Sequence, residues 1–110
     1  MEELELSQVA MEVILNAGDG RGYIEEAITC LAELDFDGAE ERLSAAEEKI
    51  LCAHRAQTET IQRQAAGEDV AYSLLFTHAQ DTLMTVSSEL HLLKKMIPLF
   101  KTLAASNKED

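Results

Sequence analysis

The chain has no tryptophan, one proline, two tyrosines and three phenylalanines in 110 residues. Sheets draw on aromatic and β-branched residues, so this scarcity, beside abundant Ala, Leu and Glu, points to helices. Positive charge is also scarce: nine Lys and Arg stand against twenty-one Asp and Glu, for a net charge of −12. Polyphosphate binding needs cations to displace counterions, so nucleic acid is excluded as a partner, and an anionic membrane surface is disfavoured. The two cysteines, Cys30 and Cys52, form no spaced framework and read as free thiols in a reducing compartment. No stretch approaches the ~20 apolar residues of a membrane-spanning helix. The acidic N-terminus lacks the basic region and apolar run of a secretory leader. A soluble, cytoplasmic protein is expected. The length suits a single domain over residues 1–110.

Apolar spacing supplies the organisation. From Leu6, core-type positions recur in steps of four and three at Ala10, Val13, Ala17, Gly20, Ile24, Ala27, Leu31 and Leu34. Gly18-Asp19-Gly20-Arg21-Gly22 looks like a loop, but the seam keeps its phase through it. One long helix over about 3–34 follows, open to bending at the glycines, with Gly20 allowing a neighbour to approach closely. Asp37 is the expected N-cap of a second helix, over about 38–66, with Glu40 at its third position. Its seam runs Ala39, Leu43, Ala46, Ile50, Ala53, Gln57 and Ile61, and Gly67 closes it. Asp69 would cap a third helix over about 70–104, with a seam of Tyr72, Phe76, Ala79, Leu83, Val86, Leu90, Leu93, Ile97 and Phe100. Pro98 should kink or loosen its last turns, and residues 105–110 read as a frayed tail. Three helices with two short connections give an all-α, antiparallel up-down-up bundle.

The third helix carries a second stripe, roughly 140° from the first at ~100° per residue. It contains Leu74, His78, Asp81, Thr85, Ser88, Leu92, Met96, Leu99 and Leu103. One apolar face suffices for a helix in a small bundle, so a second face implies burial against copies of the chain. Periodicity leaves dimer, trimer and tetramer open.

Within that stripe His78 and Asp81 lie three apart, on one face. A free imidazole, with an ordinary pKa of ~6.5, is mostly neutral at pH 7 and can act as a nucleophile. A phosphoryl group would add roughly two negative charges, which an ionised Asp81 opposes unless a cation offsets them. Spacing alone favours a surface or interface histidine hydrogen-bonded to Asp81 over a carrier. His54, three residues before Gln57, reads as a satisfied structural histidine, His91 as a surface or oligomer contact, and the two thiols as inert; the Gly18–Gly22 run lacks the strand and Lys-Ser/Thr of a nucleotide loop.

The segment His78-Ala79-Gln80-Asp81-Thr82-Leu83-Met84-Thr85 resembles the H-A-Q-D-H-L-M-T signature of enzyme IIA of the lactose/cellobiose-type phosphotransferase system. Ala17-Gly18-Asp19-Gly20-Arg21 is similar to that family's A-G-x-A-R stretch, and Ala53-His54-Arg55-Ala56-Gln57-Thr58 to its A-H-x-x-Q-T stretch. The three segments keep the family's order and spacing across nearly the whole chain.

The resemblance implies a three-helix protomer assembled as a homotrimer around the third helix. His78 would accept phosphate from the histidine phosphocarrier protein and donate it to the cysteine of a sugar-specific IIB component. Gln80 would shape the site. Asp81 would sit near the three-fold axis, where three copies hold a divalent cation, Mg²⁺ by preference, as suits carboxylate oxygens. The resemblance leaves the sugar open among lactose, cellobiose and chitobiose. Two departures stand out: Thr82 replaces the family histidine, and Gly20 replaces its alanine, which in an exposed helix costs ~1 kcal/mol. The first keeps alive a non-catalytic trimeric scaffold or a metal-dependent regulatory module.

Overall fold

A computed structural model describes residues 1–109 as three helices: α1 (Glu3–Ala32), α2 (Phe36–Ala65) and α3 (Leu74–Glu109). No strand occurs among the described residues. Ion pairs set the directions. Glu5, Asp19 and Glu26 of α1 meet Arg63, Lys49 and Arg42 of α2, so rising numbers on one helix meet falling numbers on the other. Lys94 and Lys101 of α3 reach back to Glu47 and Glu40 of α2 in the same reversed order. Arg21 and Glu89 hold α1 and α3 parallel. The bundle is up-down-up, 63 Å long and about 20 Å wide.

The seams are the core. Leu6, Val13, Ile24, Leu43, Ile50, Leu83, Val86 and Leu90 are all buried, with alanines filling the closest approaches. The Gly18–Gly22 run is continuous helix, as the unbroken seam requires. Gly20 is the buried one of the three: a Cβ there would lie 3.0 Å from Ile50 Cγ1 and 3.5 Å from the Ala46 carbonyl. The cost for an exposed helical glycine therefore does not apply to it. The α1–α2 interface is the most extensive of the three and α2–α3 the least.

The helix ends differ from the sequence expectation, each for a local reason. α1 stops at Ala32 because Leu34 turns left-handed (φ 58°), letting the Leu34 and Asp35 N–H groups donate to the carbonyls of Leu31 (3.0 Å) and Cys30 (2.9 Å). That places Leu34 outside the seam. Asp35, not Asp37, caps α2: its Oδ1 accepts the Gly38 N–H at 2.9 Å. Gly38 lets the carboxylate lie close over the turn: a Cβ would fall 2.2 Å from Asp35 Oδ2, and that side chain would have to turn aside. The C-terminus of α2 is closed by Gly67 (φ 100°), with Gly67 and Glu68 N–H donating to Gln64 and Arg63 carbonyls. The buried line of α2 ends on Thr60 rather than Ile61, a step of three instead of four.

The third helix begins four residues later than expected. Ser73, not Asp69, caps it: its Oγ accepts the Phe76 N–H at 3.0 Å, and its carbonyl accepts the Thr77 N–H at 3.1 Å. Tyr72 consequently precedes the helix and is 84% exposed instead of buried. α3 continues unbroken through Pro98, and residues 105–109 are helical rather than frayed. Residue 110 of the expected tail lies outside the described residues. Lys101 pins the far end of α3, with its ammonium 2.8 Å from Glu40 and 5.9 Å from the Phe36 ring centre.

Candidate functional site

The second stripe of α3 faces outward. Leu92, Leu99 and Leu103 are each about 60% exposed. Leu92, Met96 and Leu103 line a groove of about 890 Å³ whose opposite wall is Ile24, Ile28 and Leu31 of α1. His78 lies toward the other end of this face, one turn after the Ser73 cap and exposed to solvent. Asp81, one turn further, is exposed as well. The side-chain hydrogen bond that their spacing permits is not formed, so the ring is free on its accessible side.

Three threonines surround this turn, and each spends its hydroxyl on the backbone. Thr77 donates to the Ser73 carbonyl (3.1 Å), Thr82 to the His78 carbonyl (2.9 Å) and Thr85 to the Asp81 carbonyl (2.8 Å). Such back-bonding is the usual resting place of a helical threonine hydroxyl. Thr82 therefore ties down the backbone of the His78 turn and brings no second imidazole.

Gln80 is half-buried and does not share the His78 face. Residues two apart on a helix point to opposite sides. Gln80 also precedes Lys94, which binds Glu47, by two heptads, and so lies on the side of α3 that faces α2. Of the three site candidates, the structure brings His78 and Asp81 to one exposed surface and leaves Gln80 on another.

The site offers one carboxylate per chain. Among the described residues no group of three or more His, Cys, Asp or Glu is arranged to hold a metal ion. Asp81 fits a cation only where several copies pool their oxygens, and its exposure on the outward stripe allows that.

Two arginines of the bundle are held by carboxylates. Arg63, at the end of the bundle where α3 begins, is clamped by Glu5 (2.7 Å) and Glu68 (2.8 Å). The hydrogen bonds it donates to Glu5, and then to Glu68, hold its guanidinium pKa above the ordinary value. Arg21 makes a two-pronged pair with Glu89, Nε at 3.2 Å and Nη2 at 3.1 Å. The remaining candidates are bland. His54, His91 and Cys52 are exposed, Cys30 is half-buried, and the glycine run is helix interior. The sequence reading missed the exposed apolar side chains of α1, Leu4, Met11 and Leu15, whose spacing beside the seam was the available signal.

Comparison with known proteins gives one answer. Residues 8–101 match the family model described as the phosphotransferase system lactose/cellobiose-specific IIA subunit. The lactose-specific EIIA component of Staphylococcus epidermidis is 39% identical over 92% of this chain and 97% of its own. The oligo-β-mannoside-specific EIIA component of Bacillus subtilis is 34% identical over 93% and 97%. The crystal structure of the cellobiose-specific enzyme IIA from Bacillus anthracis superposes with a TM-score of 0.85 at 36% identity, covering 96% of this chain and 94% of that one. The chitobiose IIA subunit of Escherichia coli, solved in complex with HPr, superposes with a TM-score of 0.76 at 28% identity, covering 94% and 99%.

Proposed function

The chain belongs to the lactose/cellobiose-specific IIA family of the phosphotransferase system, and from that membership we propose that His78 is its phosphoryl carrier. The observation that supports this is the exposed His78 imidazole, presented with Asp81 on the outward face of α3 within the family's signature. No helix of the described residues is long and apolar enough to cross a membrane, which suits a carrier working in the cytoplasm beside a membrane transporter.

The donor is the histidine phosphocarrier protein, and the chitobiose relative solved with HPr supports it. The chemistry balances without an added base. The lone pair of the unprotonated His78 nitrogen attacks phosphorus, a new N–P bond forms, and the donor's N–P bond breaks with its electron pair returning to the donor imidazole. Each ring keeps the proton on its other nitrogen. A cysteine thiolate of a sugar-specific IIB component then takes the phosphoryl group: an S–P bond forms and His78 recovers its lone pair. The sugar is a disaccharide of the lactose, cellobiose or chitobiose type.

The working form is a homotrimer built on α3. Its support is the row of exposed leucines on a face no intrachain helix covers, continued by the α1–α3 groove. Three Asp81 carboxylates would converge there. A shared divalent cation, Mg²⁺ by preference, would offset their mutual repulsion and part of the phosphoryl charge. Gln80, turned away from the His78 of its own chain, would shape the site of a neighbouring copy.

Incubation with phosphoenolpyruvate, enzyme I and the phosphocarrier should add an acid-labile, base-stable phosphoryl group to His78. His78→Ala should remove it, and labelling that persists in that variant rejects the assignment. A second reading rests on Thr82, whose hydroxyl is committed to the backbone. A stable trimer that no phosphocarrier labels would make the protein a scaffold or metal-dependent module instead.

A further inference from the structure

The turn that leads into His78 is held chiefly at one residue. Three hydrogen bonds converge on Ser73: its Oγ accepts the Phe76 N–H at 3.0 Å, and its carbonyl accepts both the Thr77 N–H and the Thr77 hydroxyl at 3.1 Å. Burial adds little to this turn. Leu74 is 72% exposed, Leu75 37%, and Thr77 is exposed, so Phe76 is left to pack against the core. Long side chains on a helix lean back over the turn before their own Cα. The His78 ring therefore lies along the Leu74–Thr77 turn, which exists as helix only while the helix start stays at Ser73.

The sequence holds a second start one turn further on. Thr77-His78-Ala79-Gln80 has both halves of a capping box, Thr as N-cap and Gln three residues later, whereas Ser73-Leu74-Leu75-Phe76 has only the first half. Started at Thr77, the helix would take His78 from its fifth position to its first. The His78 and Ala79 N–H groups would then lose their helical partners, and the ring would stand beside unwound chain. The two starts exclude each other, since an N-cap residue leaves the helical backbone conformation that Thr77 holds in the first. On the reading of His78 as the phosphoryl carrier, we infer that Ser73 is a positioning residue for transfer. Its cap keeps α3 starting at Leu74, and loss of that cap hands the start to Thr77 and Gln80 and leaves the nucleophile on a loosened end. Transfer between two proteins depends on the placing of the attacking nitrogen, so the second form takes phosphate poorly from a protein donor. A small free phosphoryl donor follows the ring wherever it lies and makes no such demand.

Ser73→Ala and Ser73→Asn, compared with the unaltered protein, test the role, since asparagine caps as well as serine and alanine does not cap. Amide exchange followed by NMR reports the helix start independently of what His78 does. The first protected amide should be Phe76 in the unaltered protein and in Ser73→Asn, and Gln80 in Ser73→Ala. Transfer from the phosphorylated phosphocarrier to Ser73→Ala should show kcat about tenfold lower with KM little changed, because the loss concerns the reacting atoms rather than the contact. Ser73→Asn should restore it. Labelling of His78 by phosphoramidate, which needs no protein donor, should be unchanged in both variants. A first protected amide that stays at Phe76 in Ser73→Ala, or a kcat that is unaltered there or not restored by asparagine, overturns the positioning role. So does a raised KM at constant kcat, or a fall in phosphoramidate labelling that matches the fall in transfer. A general loss of helicity in Ser73→Ala by circular dichroism overturns it too, by making Ser73 a residue of the fold alone. Failure of both donors to label the unaltered protein removes the carrier role and the positioning role with it, while a shift of the first protected amide to Gln80 would still establish the second start.

Discussion

Three glycines within one turn and a half of α1 should answer differently to the same substitution. Gly18 and Gly22 are exposed helix-interior positions where an added Cβ meets nothing within 4 Å. Alanine there gains the full propensity difference, about 0.9 kcal/mol each, with no steric term against it. The pair should therefore add about 1.8 kcal/mol. With an unfolding entropy of about 2.1 cal/mol/K per residue over a chain of this length, Tm should rise by about 8 °C. At Gly20 the same Cβ would sit 3.0 Å from Ile50 Cγ1 and 3.5 Å from the Ala46 carbonyl. Close packing must loosen to admit it, at a cost of the order of 1 kcal/mol or more. Gly20→Ala should thus gain nothing or lose stability. Thermal and urea unfolding of the three single variants and the Gly18→Ala/Gly22→Ala pair provide the assay. A Gly20→Ala gain equal to that of Gly18→Ala would refute the close α1–α2 approach. A loss from Gly18→Ala or Gly22→Ala would show that those faces are covered by something larger than solvent.

Other positions carry their own expectations. Leu34 holds a left-handed backbone that costs a Cβ-bearing residue roughly 1–2 kcal/mol, so Leu34→Gly should gain about 0.5 kcal/mol after its lost contacts and greater chain entropy; destabilisation in urea melts would contradict this. Gln57 is buried, and its Oε1 has no hydrogen-bond partner among the described residues. Gln57→Met keeps the volume and removes the orphaned oxygen, so stability should rise by about 1 kcal/mol; a clear loss would mean that the amide is bonded in solution. Chelation of divalent cations should lower the Tm of the unaltered protein, by an amount set by cation concentration over Kd. Asp81→Asn should abolish that dependence, and a Tm indifferent to chelation would remove the shared cation.

The helices were legible because periodicity is a property of whole segments. The steps from Leu6 to Ala27 kept their phase through three glycines, and a seam that long outweighs local helix-breaking composition. The ends were less legible, since two caps compete within a few residues. Asp35 accepts the Gly38 N–H where Asp37 already lies inside the helix, and Ser73 accepts the Phe76 N–H while residues 68–73 stay outside regular structure. Tyr72 fell on the wrong side of that boundary. At the site, the shared face of His78 and Asp81 could be read from their spacing. That Gln80 turns away from His78 follows from spacing as well, but that it turns toward α2 required the Lys94–Glu47 register. The α1 patch was hidden because an exposed leucine acquires meaning only once the helix beside it is placed.

The captured hydroxyls of Thr77, Thr82 and Thr85 bear on how the nucleophile is held. Donating a proton leaves the lone pairs of each oxygen in place, so these bonds act on the shape of the turn rather than on its reactivity. Each of these alcohols points its proton backward along the helix at a carbonyl, fixed in one rotamer. The turn that exposes the nucleophile is thereby braced along its own axis, and a perch held rigid beforehand loses less freedom each time a partner arrives.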